Sequence, residues 1–201
     1  MTDREQQSLH SLKSLLKLAY SAELAAAYAY RGHWYSVKDP QEKTRIQEIE
    51  NEELHHRQLV GEMMAQLGAQ PSRIRELWSS FLGGSLAVLC NFGSWLIPMY
   101  GAGRLESRNV REYETAARYA RGCGHPEFVE SLLMMAEVEW EHERYFRARV
   151  SAHRWAKKIP LWQAPPPKET IRSTFQNENF PATGEAGSIE PAPTIGYTGS
   201  H

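Results

Sequence analysis

Two short patterns, far apart in the chain, constrain what it can fold into more than anything else. Across Phe128 to Phe146 the positions that recur at helical spacing are Phe128, Leu132, Met135, Glu139, His142 and Phe146. A carboxylate and an imidazole therefore stand where an amphipathic helix puts its core. Arg45 to Met64 repeats the arrangement, with Ile46, Ile49, Glu53, His56, Val60 and Met63 on one stripe. Burying such groups unpaired costs on the order of several kcal/mol. A metal ion removes that cost by binding carboxylate and imidazole together, and a Glu-x-x-His step sets both on one helix face at adjacent heights. A single copy of the step is more often a surface pair, but two inward copies point to a metal site. The overlapping pair Glu52 and His55 falls instead on a stripe with Glu42, Arg45 and Glu48, and that face is predicted to be solvated.

The rest of the chain supplies partners for these two helices. Ser8 to about Val37 reads as a first helix with Leu12, Leu15, Leu16, Ala19, Ala22, Ala26, Tyr30 and Trp34 inward, and Glu23 lies on that apolar face. Asp39-Pro40 gives a cap and a first helical position for the second helix, which runs to about Leu67 and is closed by Gly68. Arg104 to about Gly122 reads as a third helix with Leu105, Asn109, Tyr113, Ala116, Ala117 and Ala120 inward. Glu112 borders this arc, whereas Glu114 points toward Arg111 and Arg118 as a surface partner. Glu23 is followed seven positions on by Tyr30, and Glu112 at the same interval by Tyr119. Gly122 to Gly124 ends this helix, and Pro126 begins the fourth.

Each helix pair thus offers one Glu from its first member and a Glu-x-x-His from its second. The predicted fold is all-α, a four-helix bundle that holds two metal ions through Glu23, Glu53, His56, Glu112, Glu139 and His142. Four carboxylates balance two divalent ions, and a carboxylate and imidazole set favours redox-active iron, or manganese, over a thiolate-bound metal. The competing expectation is a bundle with a buried hydrogen-bonded network and no metal.

Composition excludes several other classes. The net charge of -1 gives no reason to expect a nucleic-acid partner. Cys90 and Cys123 are the only cysteines, without a Cys-x-x-Cys, so neither a disulfide framework nor a thiolate metal centre is supported. Met1 to Gln7 is polar and lacks an apolar signal core, which predicts a cytoplasmic protein, if need be peripheral to the inner face of a membrane. No charge occurs between Glu76 and Arg104, and Phe81 to Met99 is almost continuously apolar. Gly83-Gly84, Gly93 and Pro98 interrupt it, which predicts short helices rather than a membrane span. That stretch is read either as a buried crossover between the helix pairs or as a patch that meets a membrane or admits an apolar substrate. Residues 1–163 form the predicted bundle domain. Residues 164–201, rich in Pro and Gly, are predicted to be largely extended or disordered, with Trp162 and Phe175 able to pin parts of the end to the body.

At the ligand positions the sequence resembles the ferritin-like di-iron carboxylate superfamily, and within it the demethoxyubiquinone hydroxylase family. The nearer resemblance rests on Glu23 to His33, which is similar to that family's first-helix Glu, alanine-rich turn and Tyr-x-Gly-Gln, with His33 in place of the glutamine. Glu139-Trp-Glu-His142 with Glu143 is similar to its fourth-helix motif, and Glu112 to Tyr119 to its third-helix Glu and Tyr. The resemblance covers roughly Leu12 to Val150; Tyr20 and Ser21 stand where the family has Arg and His. It implies a ferritin-like bundle with a long crossover between helices 2 and 3, and dioxygen activation at two iron ions with Glu53 or Glu139 bridging. Tyr30 and Tyr119 become candidates to support the ligands or relay a radical, against the plainer role of core tyrosines. The implied partners are dioxygen, a lipophilic ring such as a quinone, an electron donor, a membrane surface touched through 81–99 and a second copy of the chain in a homodimer. The alternative from another class is an iron-oxidising or peroxide-reducing protein of the rubrerythrin and ferritin kind, which needs the same ligands but no substrate pocket.

Overall fold

The computed structural model describes residues 1–92 and 95–177. Its helices are α1 (Asp3–Ser36), α2 (Pro40–Gln66), α3 (Arg73–Phe92), α4 (Leu96–Gly122), α5 (Val129–Ala152) and α6 (Lys168–Asn177). Short 3-10 turns lie at Pro126–Phe128 and Ala156–Lys158, and there is no strand among the described residues. Local chemistry accounts for the boundaries. Thr2 and Glu5 form a reciprocal capping box at the start of α1. The Asp39 carboxylate accepts from the Gln41 and Glu42 amides, with Pro40 at the first position of α2. Gly68, at a φ of 64°, takes the left-handed conformation that ends α2.

Helices α1, α2, α4 and α5 form the bundle: α1 packs on α2 and α4, α5 on α4, and α2 meets α5. The core has two apolar parts. One contains Leu12, Leu16, Val60, Val110, Leu132 and Met135; the other contains Ala26, Ile46, Ile49, Met99, Phe146 and Val150. Along the bundle helices Glu23, Glu53, His56, Glu106, Glu139 and His142 fall between members of the two clusters, so the bundle has a polar waist with apolar packing at both ends.

The crossover differs from expectation. It is one 20-residue helix, α3, laid along α1, and α4 begins at Leu96 instead of near Arg104. Close approach of the two backbones explains two glycines: a Cβ on Gly83 would sit 2.5 Å from the Ala25 carbonyl oxygen, and one on Gly32 would sit 2.2 Å from the Ala87 Cα. An ionic latch holds the start of α3. Arg57 of α2 pairs with Glu76, stacks on Tyr20 and donates to the Tyr20 carbonyl, while Ser21 donates to Glu76 at 2.7 Å. The outer face of α3 remains apolar and open, from Leu77 (73% exposed) to Phe92 (84%). No helix among the described residues is long and apolar enough to cross a membrane.

Two more expectations change. Glu42, assigned to a solvated stripe, is buried, where it accepts from Arg149 Nε at 3.0 Å and from the Trp95 indole. The region predicted to be extended from residue 164 contains α6, whose Ile171 and Phe175 enter the core while Arg172 pairs with Glu137 and Glu130. Trp162 is buried against Gly103 and donates to Glu143 at 2.7 Å. Residues 178–201 of that stretch lie outside the described residues.

Candidate metal centre

At the polar waist the four bundle helices bring together Glu23 from α1, Glu53 and His56 from α2, Glu106 from α4, and Glu139 and His142 from α5. Two overlapping sets result, Glu23, Glu53, His56 and Glu139, and Glu53, Glu106, Glu139 and His142; within each set one donor atom per residue lies within 4.8 Å of all the others. All six side chains are buried. Both imidazoles turn Nδ1 toward the carboxylates: His56 Nδ1 lies 3.0 Å from Glu139 Oε1, and His142 Nδ1 lies 3.3 Å from Glu53 Oε1 and 3.5 Å from Glu139 Oε2. Outside the cluster, His142 Nε2 lies 2.6 Å from Glu52 Oε2, and Arg45 pairs with the same carboxylate. Glu52, read from sequence as merely solvated, thereby orients the His142 ring and fixes which nitrogen faces inward.

The arrangement fits metal ions. Glu23 Oε2, both Glu53 oxygens, Glu139 Oε2 and His142 Nδ1 are buried without a hydrogen-bond partner among the described residues. Buried lone pairs left this way are costly unless a cation collects them. The proton affinities say the same. Burial, then the neighbouring carboxylates, push Glu53 and Glu106 well above the usual range, and burial also raises Glu23. Burial opposes charge on Glu139 and His142, yet the close contacts with His142, His56 and Glu106 hold Glu139 low, and those with Glu139 and Glu52 lift His142 to about 9. Protons therefore occupy a cluster whose donor set, hard oxygens with two imidazoles, suits redox-active divalent ions. Glu53 and Glu139 belong to both sets, which makes them the residues placed to bridge two ions.

The structure brings together five of the six residues named from sequence and replaces the sixth. Glu112 is not in the cluster; it lies half-buried at the edge of the crevice between α1 and α4 and accepts from Arg108 Nε at 2.6 Å. Glu106 takes its place. Helical phase is the reason. The buried arc of α4 runs through Glu106, Val110, Tyr113 and Ala117, so the apolar Leu105 turns outward (44% exposed) and Glu106 turns fully inward. Tyr119 likewise sits half-buried at the edge of the apolar core, and Tyr113 reaches the site instead. A usable signal was in the sequence, because Glu106 and Tyr113 repeat the seven-residue interval of Glu23 and Tyr30, and Tyr113 was already on the inward arc. The two pairs are reciprocal: Tyr30 of α1 donates to Glu106 of α4, and Tyr113 of α4 donates to Glu23 of α1. Asn109 adds a bond to Glu106 Oε2 at 2.9 Å.

A cavity of about 370 Å³ adjoins this centre between α1, α3 and α4, lined by residues that include Ala26, Tyr30, His33, Leu86, Leu89 and Ala102. The Tyr30 side chain is the shared wall, lining the cavity and donating its hydroxyl to Glu106.

Comparison with known proteins converges on the same site. Residues 10–91 match the family model described as ubiquinone biosynthesis protein COQ7. A 3-demethoxyubiquinol 3-hydroxylase of Francisella tularensis subsp. novicida is 34% identical over 85 residues, 41% of this chain and 40% of that protein. The protein of the same name from Francisella tularensis subsp. tularensis is 35% identical over 75 residues, 36% of each chain. The chain spans about two fifths of the length of the curated relatives it matches. No solved structure matches it. The matched stretch carries Glu23, Tyr30, Glu53 and His56, whereas Glu106, Glu139 and His142 lie beyond it and join them only through the fold. Through residues 10–91 this chain resembles the demethoxyubiquinone hydroxylase family of the ferritin-like di-iron carboxylate superfamily.

Proposed function

We propose that this protein is a di-iron monooxygenase that uses dioxygen to hydroxylate a lipophilic ring, with a quinone or quinol as the leading substrate class. Glu23 and His56 would hold one ion, Glu106 and His142 the other, and Glu53 and Glu139 would be shared. When bound, such a pair of ions supplies two-electron chemistry with dioxygen. The chain's own contribution is arrangement. Glu52 orients His142, Tyr30 and Tyr113 each hold one terminal carboxylate, and the two apolar clusters exclude water from both ends of the waist.

The observation that carries this reading over an iron-handling one is the apolar cavity behind Tyr30. A ferroxidase needs only iron and oxidant, whereas a hydroxylase must bring an organic ring within reach of the centre. The exposed apolar face of α3, with Leu77, Phe81, Leu89 and Phe92, supports peripheral contact with a bilayer, from which a lipophilic substrate could enter the cavity beside Leu86 and Leu89. The similarity of residues 10–91 to 3-demethoxyubiquinol 3-hydroxylases supports the substrate class.

The test is oxygen consumption by the iron-loaded, reduced protein with and without a short-chain quinol, with product analysis by mass spectrometry. Ring-dependent oxygen uptake with a hydroxylated product is the expected result. Multiple ferrous turnovers per site that are indifferent to every ring compound would replace this reading with the iron-oxidising one. Flotation with phospholipid vesicles, alongside light scattering without them, separates bilayer contact from pairing of two copies through the α3 face.

A further inference from the structure

The cavity beside the metal centre is apolar almost throughout, and what is polar in its wall is nearly all committed or weak. The Tyr30 hydroxyl is engaged by Glu106, and the Cys90 thiol is a poor hydrogen-bonding group. His33 is different. Its side chain is buried, it lines the cavity, and its Nε2 has no hydrogen-bond partner among the described residues. The ring is held in place by stacking on Phe146, with centroids 6.5 Å apart and planes 17° off parallel; Phe146 in turn stacks on Tyr30 at 5.7 Å. A buried, unsatisfied polar atom on a side chain that lines an apolar pocket is costly in the free protein and selective in the bound one, because only a ligand that reaches it and completes the hydrogen bond relieves the cost.

We propose that His33 is the polar anchor of this cavity and selects planar rings that carry an oxygen, a phenolic hydroxyl or a quinone carbonyl, over hydrocarbon rings of the same shape. The proposal rests on the reading of the cavity as the substrate site. Burial pushes the imidazole pKa down to about 4, so near neutral pH the ring carries one N–H and one free lone pair. A neutral imidazole of either tautomer can meet one of the two oxygen types, donating to a carbonyl or accepting from a hydroxyl. With the ring edge satisfied at His33, the rest of the molecule lies among Leu86, Leu89 and Ala102, next to the Tyr30 wall.

Naphthol and methylnaphthalene test this, since a hydroxyl and a methyl group are nearly the same size and neither compound reacts with thiols. Binding to the metal-free protein is measured by calorimetry, so neither iron nor turnover enters the result. An apolar pocket without an anchor would favour methylnaphthalene. The expected result is a preference for naphthol of about tenfold to a hundredfold, the effect of leaving a buried polar group unpaired. His33→Phe should abolish that preference while keeping methylnaphthalene affinity, and His33→Gln, which retains hydrogen-bonding capacity, should restore it. Ala102→Phe, which fills the cavity, should weaken both ligands. Thermal unfolding shows whether each variant is folded, and the His33→Gln result stands even if His33→Phe is not. The proposal is overturned if the wild type does not prefer naphthol, if the preference survives in His33→Phe or is lost in folded His33→Gln, or if Ala102→Phe leaves binding unchanged. Failure of the hydroxylase reading looks different: the iron-loaded protein would yield no hydroxylated product while the naphthol preference persisted.

Discussion

The two tyrosine and carboxylate pairs at the waist are near mirror copies in sequence spacing, yet their surroundings are opposite. Tyr113 and Glu23 face a crevice with about 10 Å³ of free space, closed by Leu16, Ala19 and Ala116. Tyr30 and Glu106 stand beside about 370 Å³ of apolar space. A bundle with pseudo-equivalent halves has no intrinsic reason to approach its ligands from one side. The asymmetry comes from what is laid over it. α3 touches α1 closely at Gly83 and Gly32 but stands away at Leu86 and Leu89, so it roofs a hollow on the Tyr30 side. On the other side α1 and α4 close the crevice themselves, and no residue of α3 or α6 lines it. Symmetric residues therefore describe the candidate metal centre, and the non-repeating helix α3 decides on which side an apolar cavity opens.

The largest effect that would break this comparison concerns the ligands. Glu106→Ala should lower the affinity for one of two bound ions by more than about a hundredfold, since even residues that only orient a ligand cost up to that much. Glu112→Ala should leave metal content unchanged. Metal analysis after dialysis reads both; normal loading in Glu106→Ala with loss in Glu112→Ala would mean that α4 sits in a different helical phase.

Next in size is an acid effect confined to the roomy side. His33 has a folded pKa of about 4 against 6.5 for an unhindered imidazole, so the unfolded chain takes up the proton first as pH falls. Its contribution to stability is intact above pH 6.5 and declines between 6.5 and 4, by about 3 kcal/mol in all. Tyr30 and Cys90, the other titratable groups lining the cavity, are shifted upward by burial and stay neutral throughout that window. Urea unfolding of the wild type against His33→Gln across these pH values should show the difference, and parallel profiles would remove His33 as its source.

The tyrosines themselves sharpen the contrast at smaller scale. Tyr30→Phe and Tyr113→Phe each delete one bond to a buried carboxylate, so each should cost the metal-free protein about 1 to 3 kcal/mol. Only Tyr30→Phe should alter binding of a ring compound. Equal effects on ring binding would mean that the cavity does not communicate with the centre through its Tyr30 wall. Smallest of all, Arg172→Ala on α6 breaks partly exposed pairs with Glu137 and Glu130 and should cost no more than about 1 kcal/mol by denaturant titration.

Much of the site was legible because helical periodicity alone places Glu53, His56, Glu139 and His142 among core residues, and ionisable groups there demand a common partner. Glu23 was legible for the same reason. Glu106 was harder to read, because the apolar Leu105 beside it draws the inward arc one position off, although the buried arc runs through Glu106, Val110, Tyr113 and Ala117. The partners of Glu42 and Glu52 were hidden for a related reason. Both sit on a charged stripe that looks solvated within its own helix, and only the neighbouring α5 supplies Arg149 to the first and His142 to the second.

By itself, then, the sequence determined that this chain forms an all-α bundle with two inward Glu-x-x-His steps, since periodicity and the cost of burying charge are properties of each helix alone. Tertiary structure decided the partners of Glu42 and Glu52, the cavity and its asymmetry. Those depend on how α3, α4 and α5 lie against their neighbours, and contacts between segments far apart in the chain leave no periodic trace within any one of them.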